Sequence, residues 1–430
     1  MAQSTEILLY TPKNTPRIEY IFKHIIQRVL GYKLTFTDSV ESFVAFQYTK
    51  FSYAEKSLGN EFFIKKSGLL DEVGFSDLDI KVSDWDGLPC FFKVADDKSL
   101  DFDIFSASFY LLSRYEEYQP FVKDAHGAFP VEESLAFKNN FLHLPLVDMW
   151  AEKFLDLFRE RFPKLPYVPK KYQKYILVKV SKAYAYANKN LFRQTAGWFK
   201  DLLSFRFKEL YARSLVYLNL KEDPLDTHKD ILSWISKNSL ESIWFFQLGD
   251  FTRASRNISH NRIAYHHLIK EINDYTSLGL LFSRHATSKV AVAIQEKKRM
   301  EEISHEKLDS SFISDPSLGF PEFYNTLESL NIRNDYSMGY THQVGFKAST
   351  CNEFMFYDLN LERATALKIH PYVVDFNNVN FKNEKVLEQI KTINKIIQNL
   401  KGNFRVVIEN TTFVSEHQQN FTSFFKYLDE

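Results

Sequence analysis

The chain has 430 residues, 45% apolar and 25% charged, the make-up of a globular protein of two or three domains rather than of a disordered or fibrous one. Its 54 Lys plus Arg balance 54 Asp plus Glu, so no long-range field draws it to nucleic acid or an acidic membrane, although local patches stay open. Cys90 and Cys351 are too few and too far apart for a disulfide framework or a zinc finger.

Residues 5–10, TEILLY, predict a first strand. Residues 15–31 predict an amphipathic helix, with Ile18, Ile21, Phe22, Ile25, Ile26 and Val29 at helical spacing and Gly31 placed to end it. KLTFTDS reads as a strand, 39–49 is ambiguous, and the stretch from Phe51 mixes short strands with turns. Residues 99–121 run from acidic and Ser residues into a helix, 124–133 is turn-rich, and 146–163 is a second strong helix. Two prolines in 164–173 mark a boundary. An N-terminal α/β domain is therefore expected over 1–165 and a second domain over 174–430. The second opens with a strand at 174–180, followed by a basic and aromatic helical region at about 190–218. Helices at 228–240, 261–275 and 288–304 alternate with strands at 241–250 and 277–283. PEFYNTLESLN is a further helix with Pro321 in its first turn, and shorter strand ends follow to Phe376. This alternation predicts an α/β fold with a parallel sheet or barrel. With no basic leader ahead of an apolar stretch and no run long enough to span a bilayer, a cytoplasmic protein without a transmembrane segment is expected.

Few residues carry obvious chemistry. His266 and His267 are adjacent and His260 lies six residues earlier, which suits no helical metal site. His285, just after a strand, is better placed for a cleft. At the end of the 174–180 strand stand Lys179, Ser181 and Lys182; Lys179 and Ser181 share a face, and the spacing fits no known Ser–Lys nucleophile pattern. There is no phosphate-binding glycine loop. The basic stretches at 170–174 and 296–300 read as exposed helix faces, and no nucleic-acid partner is expected. Residues 339–359 mix Gly339, Gly345, hydroxyls and aromatics, as either a sugar-binding groove or a hairpin packed on a barrel would. With 41 Phe and 23 Tyr, the chain can fill a dense core and still keep rings for a groove or an interface.

Several segments together resemble a known family. FDIFSASFYLLSRYEEYQPF and HGAFPVEESLAFKNNFL occur in the first part; AYAY, DPLDTHKDILSW, FFQLGD, NISHN, NDYSMGY, GFKASTC and FYDL occur in order in the second. The chain resembles the two-domain polysaccharide deacetylase-like proteins of Bacteroidetes, which join an N-terminal domain of unknown function to a NodB-type deacetylase domain. The resemblance implies a distorted (β/α)7-type NodB-like barrel. In active relatives a divalent metal, usually zinc, is held by an Asp and two His and activates water, while a second Asp acts as base.

Carried over position by position, the resemblance implies a loss. The two carboxylates before AYAY are Lys179 and Ser181 here. One histidine position is Leu281, with Phe282 in place of a proline; the other is Ser314, with Phe312 in place of an arginine. No catalytic residue, metal or cofactor is therefore expected, and the protein is read as an inactive homologue serving as a glycan-binding or protein-interaction module. Lys182, Tyr184, His285, Asp335, Tyr336, His342 and Asp375 are the candidate ligand contacts. One alternative is an active deacetylase or hydrolase using His285, Asp335, His342 and Asp375 in one cleft. Another is a structural or assembly protein with an exposed apolar interface. The segments 101–106 and 114–117 are expected to organise the first domain or dock it on the second.

Overall fold

Ile7, Leu8, Leu9 and Tyr10 are all buried, so β1 (Glu6–Tyr10) is covered on both faces, as a central parallel strand must be. It pairs in parallel with β2 (Lys33–Thr37) and β3 (Lys50–Ala54), and β3 pairs with β4 (Phe62–Lys65). The structure is a computed structural model. It describes residues 5–96, 99–124, 127–188, 191–252, 257–315, 319–381, 383–414 and 416–429. Helix α1 (Pro16–Phe22) begins where Thr15 accepts a hydrogen bond from the Ile18 N–H at 3.1 Å and Pro16 fills a position that needs no donor. It continues as a wider π-helical segment, Lys23–Val29. The ambiguous 39–49 stretch holds α2 (Val40–Ala45), capped by Ser39.

A hairpin of β5 (Ser83–Trp85) and β6 (Leu88–Cys90) precedes α3 (Ile104–Leu112), α4 (Leu135–Lys138) and α5 (Leu146–Arg161). The acidic segment before α3 serves the fold. Asp103 accepts from the Phe105 and Ser106 N–H groups as a helix cap, and from Tyr53 Oη at 2.7 Å. Part of the turn-rich 124–133 stretch, residues 125–126, lies outside the described residues, as does residue 190 of the helical region at 190–218.

The second sheet comprises β7 (Gln173–Val180), β8 (Glu241–Phe246), β9 (Ser277–Phe282), β10 (Ser310–Ile313), β11 (Asn334–Asp335), β12 (Phe354–Asp358), β13 (Arg363–Ile369), β14 (Val374–Asp375) and β15 (Asn403–Glu409). Its order is β12-β13-β11-β10-β9-β8-β7-β15-β14. Every neighbouring pair is parallel except β12 with β13. The helices are α6 (Leu191–Leu203), α7 (Phe207–Tyr217), α8 (His228–Lys237), α9 (Ile263–Asn273), α10 (Arg284–Ser288), α11 (Val290–Ser304), α12 (Glu322–Ser329), α13 (Glu384–Leu400) and α14 (Glu416–Asp429). Pro321 stands immediately before α12 rather than inside its first turn.

The sheet curls on itself. Tyr372, just before β14, donates its N–H to the Met338 carbonyl beyond β11 at 3.0 Å. Its ring stacks on Phe312 of β10 at 5.9 Å between centroids. Leu177, Phe245, Leu281, Phe312, Tyr336, Tyr372 and Val407 thus form one interior cluster, with contributions from β7, β8, β9, β10 and β15 and from the residues beside β11 and β14. A barrel interior of this kind is a packed core rather than a pore. Gly279 of β9 is required here, because a Cβ would lie 2.5 Å from the Phe245 ring.

The first sheet's layer meets the barrel along a polar seam. Arg114 forms ion pairs with Glu116 at 2.8 Å and Glu117 at 2.7 Å, and Glu117 pairs with Lys347 at 3.3 Å. Asp148 accepts from the Cys351 N–H at 2.7 Å. Residues 114–117 therefore dock the first layer on the barrel, as one of the two expectations held. Residues 344–351 are buried in this seam, so that part of the 339–359 stretch is not an open sugar groove. Gly345, at φ 141°, lets the chain approach the Leu142 carbonyl, to which a Cβ would come within 2.5 Å; Gly339 makes the same room for Tyr372. The glycines admit protein, not ligand.

Arg17 is fully buried and binds Glu362, in the turn between β12 and β13, through Nε at 3.0 Å and Nη2 at 2.5 Å. Arg17→Met is expected to cost about 3–5 kcal/mol, because Glu362 loses its counter-charge while still partly buried. Burial raises the Glu362 carboxyl, but Arg17, Tyr357 and Gly74 outweigh it and hold it below the usual carboxylate range. Its contribution is present above the unfolded carboxylate value and lost as pH falls through the depressed folded value. Denaturant midpoints against pH check this: the variant's curve should be lower at neutral pH and flatter on the acid side.

Candidate functional site

β7 carries Ile176, Leu177, Val178 and Val180, all buried, so its chain direction and depth are fixed by apolar packing on both faces. Lys179 lies among them and is itself only 5% exposed. Its ammonium sits 2.7 Å from Asp375 Oδ2 and 3.7 Å from Glu409 Oε1, at the ends of β14 and β15. It also lies 5.6 Å from the centre of the Phe312 ring. Burial pulls the Lys179 ammonium down, but Asp375 and then Glu409 together outweigh it, and the group ends above its ordinary value. Burial pushes the Glu409 carboxyl up, and Lys179 only partly counters this.

Leu281 and Phe312 are buried in the interior cluster beneath this ion pair. Ser314 is half-buried just past β10, its N–H bonded to the Phe282 carbonyl at 2.9 Å. Ser181 is half-buried just past β7. The strand ends named from the sequence are thus brought to one end of one barrel. Among the described residues, no three His, Cys, Asp or Glu side chains are grouped as metal ligands would be.

His285 is exposed on α10, because Ser283 caps that helix and turns the next residues to solvent. His342 is also exposed, with Nδ1 3.5 Å from the Asn378 carbonyl. Asp335 is buried, accepting from Ser311 Oγ at 2.9 Å, Ser337 Oγ at 2.8 Å and the Ser337 N–H at 3.0 Å. Burial pushes its carboxyl up to about 6 against those bonds. Tyr336 is buried and stacks on His370 at 4.4 Å. Asp335 and Tyr336 thus have packing roles, whereas His285 and His342 are exposed.

The AYAY segment is held by other motif residues. Asp223 accepts the N–H groups of Ala185, Tyr186 and Ala187 at 2.7–2.8 Å, and Asn257 accepts that of Ala183 at 3.1 Å. Asn410 donates to the Lys182 carbonyl at 3.0 Å. Tyr184 packs near His228, and burial pushes its phenol up to about 12. Lys182 and Tyr184 therefore belong to a clamped loop at the barrel rim.

A groove that the sequence reading did not single out opens beside the ion pair. It has a volume of about 810 Å³ and lies between the segments after β14 and β15 and helices α13 and α14. Phe376, Phe381, Phe424 and Tyr427 line it together with Asn420 and Ser423. Phe376 and Phe381 stack at 4.0 Å. Asn377 fixes the wall shared with the ion pair: its Oδ1 accepts from the Glu409 N–H at 2.8 Å and from Thr412 Oγ1 at 2.7 Å. The sequence signal for this groove is the aromatic series of α14, of which Phe424 and Tyr427 line it.

Residues 7–163 match the model of a family of unknown function, DUF7033. No curated protein matches the chain. Among solved structures, the chain is similar to a protein from Mycobacterium smegmatis named as a candidate polysaccharide deacetylase, at 7% identity and a TM-score of 0.39, over 61% of this chain and 85% of that one. It is similar to a CE4-family pseudoenzyme from Bacillus anthracis at 8% identity and a TM-score of 0.31, over 61% of this chain and 62% of that one. The Bacillus cereus polysaccharide deacetylase is similar at 10% identity and a TM-score of 0.27, over 47% and 81%.

Lys179→Met leaves Asp375 and Glu409 facing each other without a counter-charge. The expected cost at neutral pH is about 3–5 kcal/mol in a denaturant titration. The gap from the parent should narrow as pH falls through the raised Glu409 value, where that carboxyl takes up a proton and the repulsion is relieved.

Proposed function

We propose that the chain is a non-catalytic protein on a polysaccharide deacetylase-like scaffold that binds glycan in the groove beside the barrel mouth. The observation that carries this reading is the buried Lys179–Asp375 ion pair at the C-terminal ends of β7 and β14. In the resembled family, carboxylates stand at the positions of Lys179 and Ser181, and histidines at those of Leu281 and Ser314. The residues present do not fit a zinc ion. The carboxylates at hand, Asp375 and Glu409, already face an ammonium, which repels a cation, and Leu281 and Phe312 offer no donor. A hydrolytic route would also need a free base near an activated water, and Asp375 is occupied by Lys179.

The groove supports the glycan half of the reading. Rings such as Phe381 and Tyr427 can stack on the apolar faces of sugars, while the Asn420 amide and Ser423 hydroxyl can bond their OH groups. Its volume of about 810 Å³ falls in the range of ligand sites.

The test uses the full chain and N-acetylglucosamine oligomers. After incubation with zinc and dialysis, the protein is expected to hold no stoichiometric metal and to release no acetate. Calorimetry should show oligomer binding, weakened about tenfold by Phe381→Ala with Tyr427→Ala. Stoichiometric zinc with acetate release would overturn the non-catalytic reading. Absence of binding would overturn the glycan reading.

A further inference from the structure

Helices α6 and α7 form a hairpin that is put together inside out. A helical hairpin on a globular protein ordinarily turns its apolar stripe to the core and its charges to solvent. Here the contacts holding the two helices include a buried ion pair, Arg213 with Asp201 at 2.7 Å, and a hydrogen bond from Trp198 Nε1 to Ser214 Oγ at 3.3 Å. Arg213 also lies over the Tyr186 ring at 4.7 Å, which ties the hairpin to the barrel rim. Gly197 leaves room for its guanidinium, since a Cβ would come within 2.5 Å of it.

Val216 is buried, but many of the large apolar residues face outward. Phe199, Leu203, Phe205, Phe207, Tyr211 and Leu218 are all exposed, Leu203 and Phe205 by 77% and 78%. Eight of the 23 large apolar side chains exposed among the described residues fall between Phe199 and Leu220. Scattered exposed apolar residues need no explanation, but a concentration of this kind marks a contact surface. Phe205 stands at the tip with φ 52°, in a region that bulky residues rarely adopt.

The exposed charges around this face lean positive. Over 195–222 the exposed ionic side chains are Lys200, Arg206, Lys208 and Lys221 against Glu209 and Glu222. The chain as a whole is neutral, so the hairpin is a local cationic departure. A second copy docked face to face would set cations against cations. An anionic, apolar-cored surface meets both features: rings and leucines enter the headgroup boundary while lysines and arginines stay at the phosphates. No described helix is long and apolar enough to cross a membrane, and none is needed for this mode.

We propose that the α6–α7 hairpin is a membrane-surface anchor that inserts its tip into an anionic lipid interface. The proposal is independent of the glycan reading. The full chain is sedimented with vesicles of phosphatidylcholine alone or with phosphatidylglycerol added. Binding is expected only with phosphatidylglycerol, weaker as salt rises, and about tenfold weaker or more for Leu203→Ser with Phe205→Ser and for Lys200→Glu with Lys208→Glu. Because these side chains are exposed, circular dichroism of the variants should match the parent. On the unmodified chain, hydrogen exchange of 199–220 should slow when phosphatidylglycerol vesicles are added. The proposal is overturned by no binding at low salt, by binding that the substitutions leave unchanged, or by a lipid-independent dimer that the same substitutions dissolve.

Discussion

The arrangement depends on one buried ion pair. An ammonium deep in a barrel is tolerable only beside a counter-charge with good geometry. Asp375, 196 residues along the chain, meets Lys179 at 2.7 Å, and Glu409 closes the third side. Aromatic and aliphatic side chains fill the interior below, so charge and packing close the same end of the barrel. In an open α/β barrel that end is where strand termini offer their functional groups. Here they offer them to each other.

The second constraint is the seam between the two sheets. Arg17, Arg114 and Asp148 reach from the first layer to Glu362, to Lys347 and to Cys351 of the barrel. One hydrophobic cluster runs across both layers, from Ile7 to Leu428. The resemblance to a deacetylase-like family rests largely on these segments and on the loop clamp of Asp223 and Asn257. They specify how the layers fit and how the rim loop is held, and that can persist while groups at the strand ends change.

Much of this was legible in the sequence where burial is two-sided. YILV, WFF and GLLF are apolar runs that only central strands accommodate, and β7, β8 and β9 fall there. Lys179 was readable as a strand-end residue, but its partner was not, because the contact exists only once β15 and β14 are placed beside β7. NFRVVIE escaped notice since Arg405 interrupts its apolar run; in the fold that guanidinium is buried against the Cys351 and Pro371 carbonyls. RATALKI escaped because it alternates with exposed residues at the edge facing β12. His285 looked like a cleft residue from its place after a strand, yet a serine cap starts a short helix there and turns it outward. The basic, aromatic stretch at 190–218 was seen as a helix, but which way its rings point depends on Arg213 choosing the inner seam.

Lys179 is sealed in an ion pair rather than presented to a cavity. Residue-resolved mass spectrometry after brief amine acetylation of the folded protein distinguishes the two. Lys179 is expected to resist modification while exposed lysines such as Lys200 and Lys298 react, and Asp375→Asn is expected to bring Lys179 into reach of the reagent. If Lys179 in the unaltered protein reacts at the rate of those exposed lysines, it is not sealed.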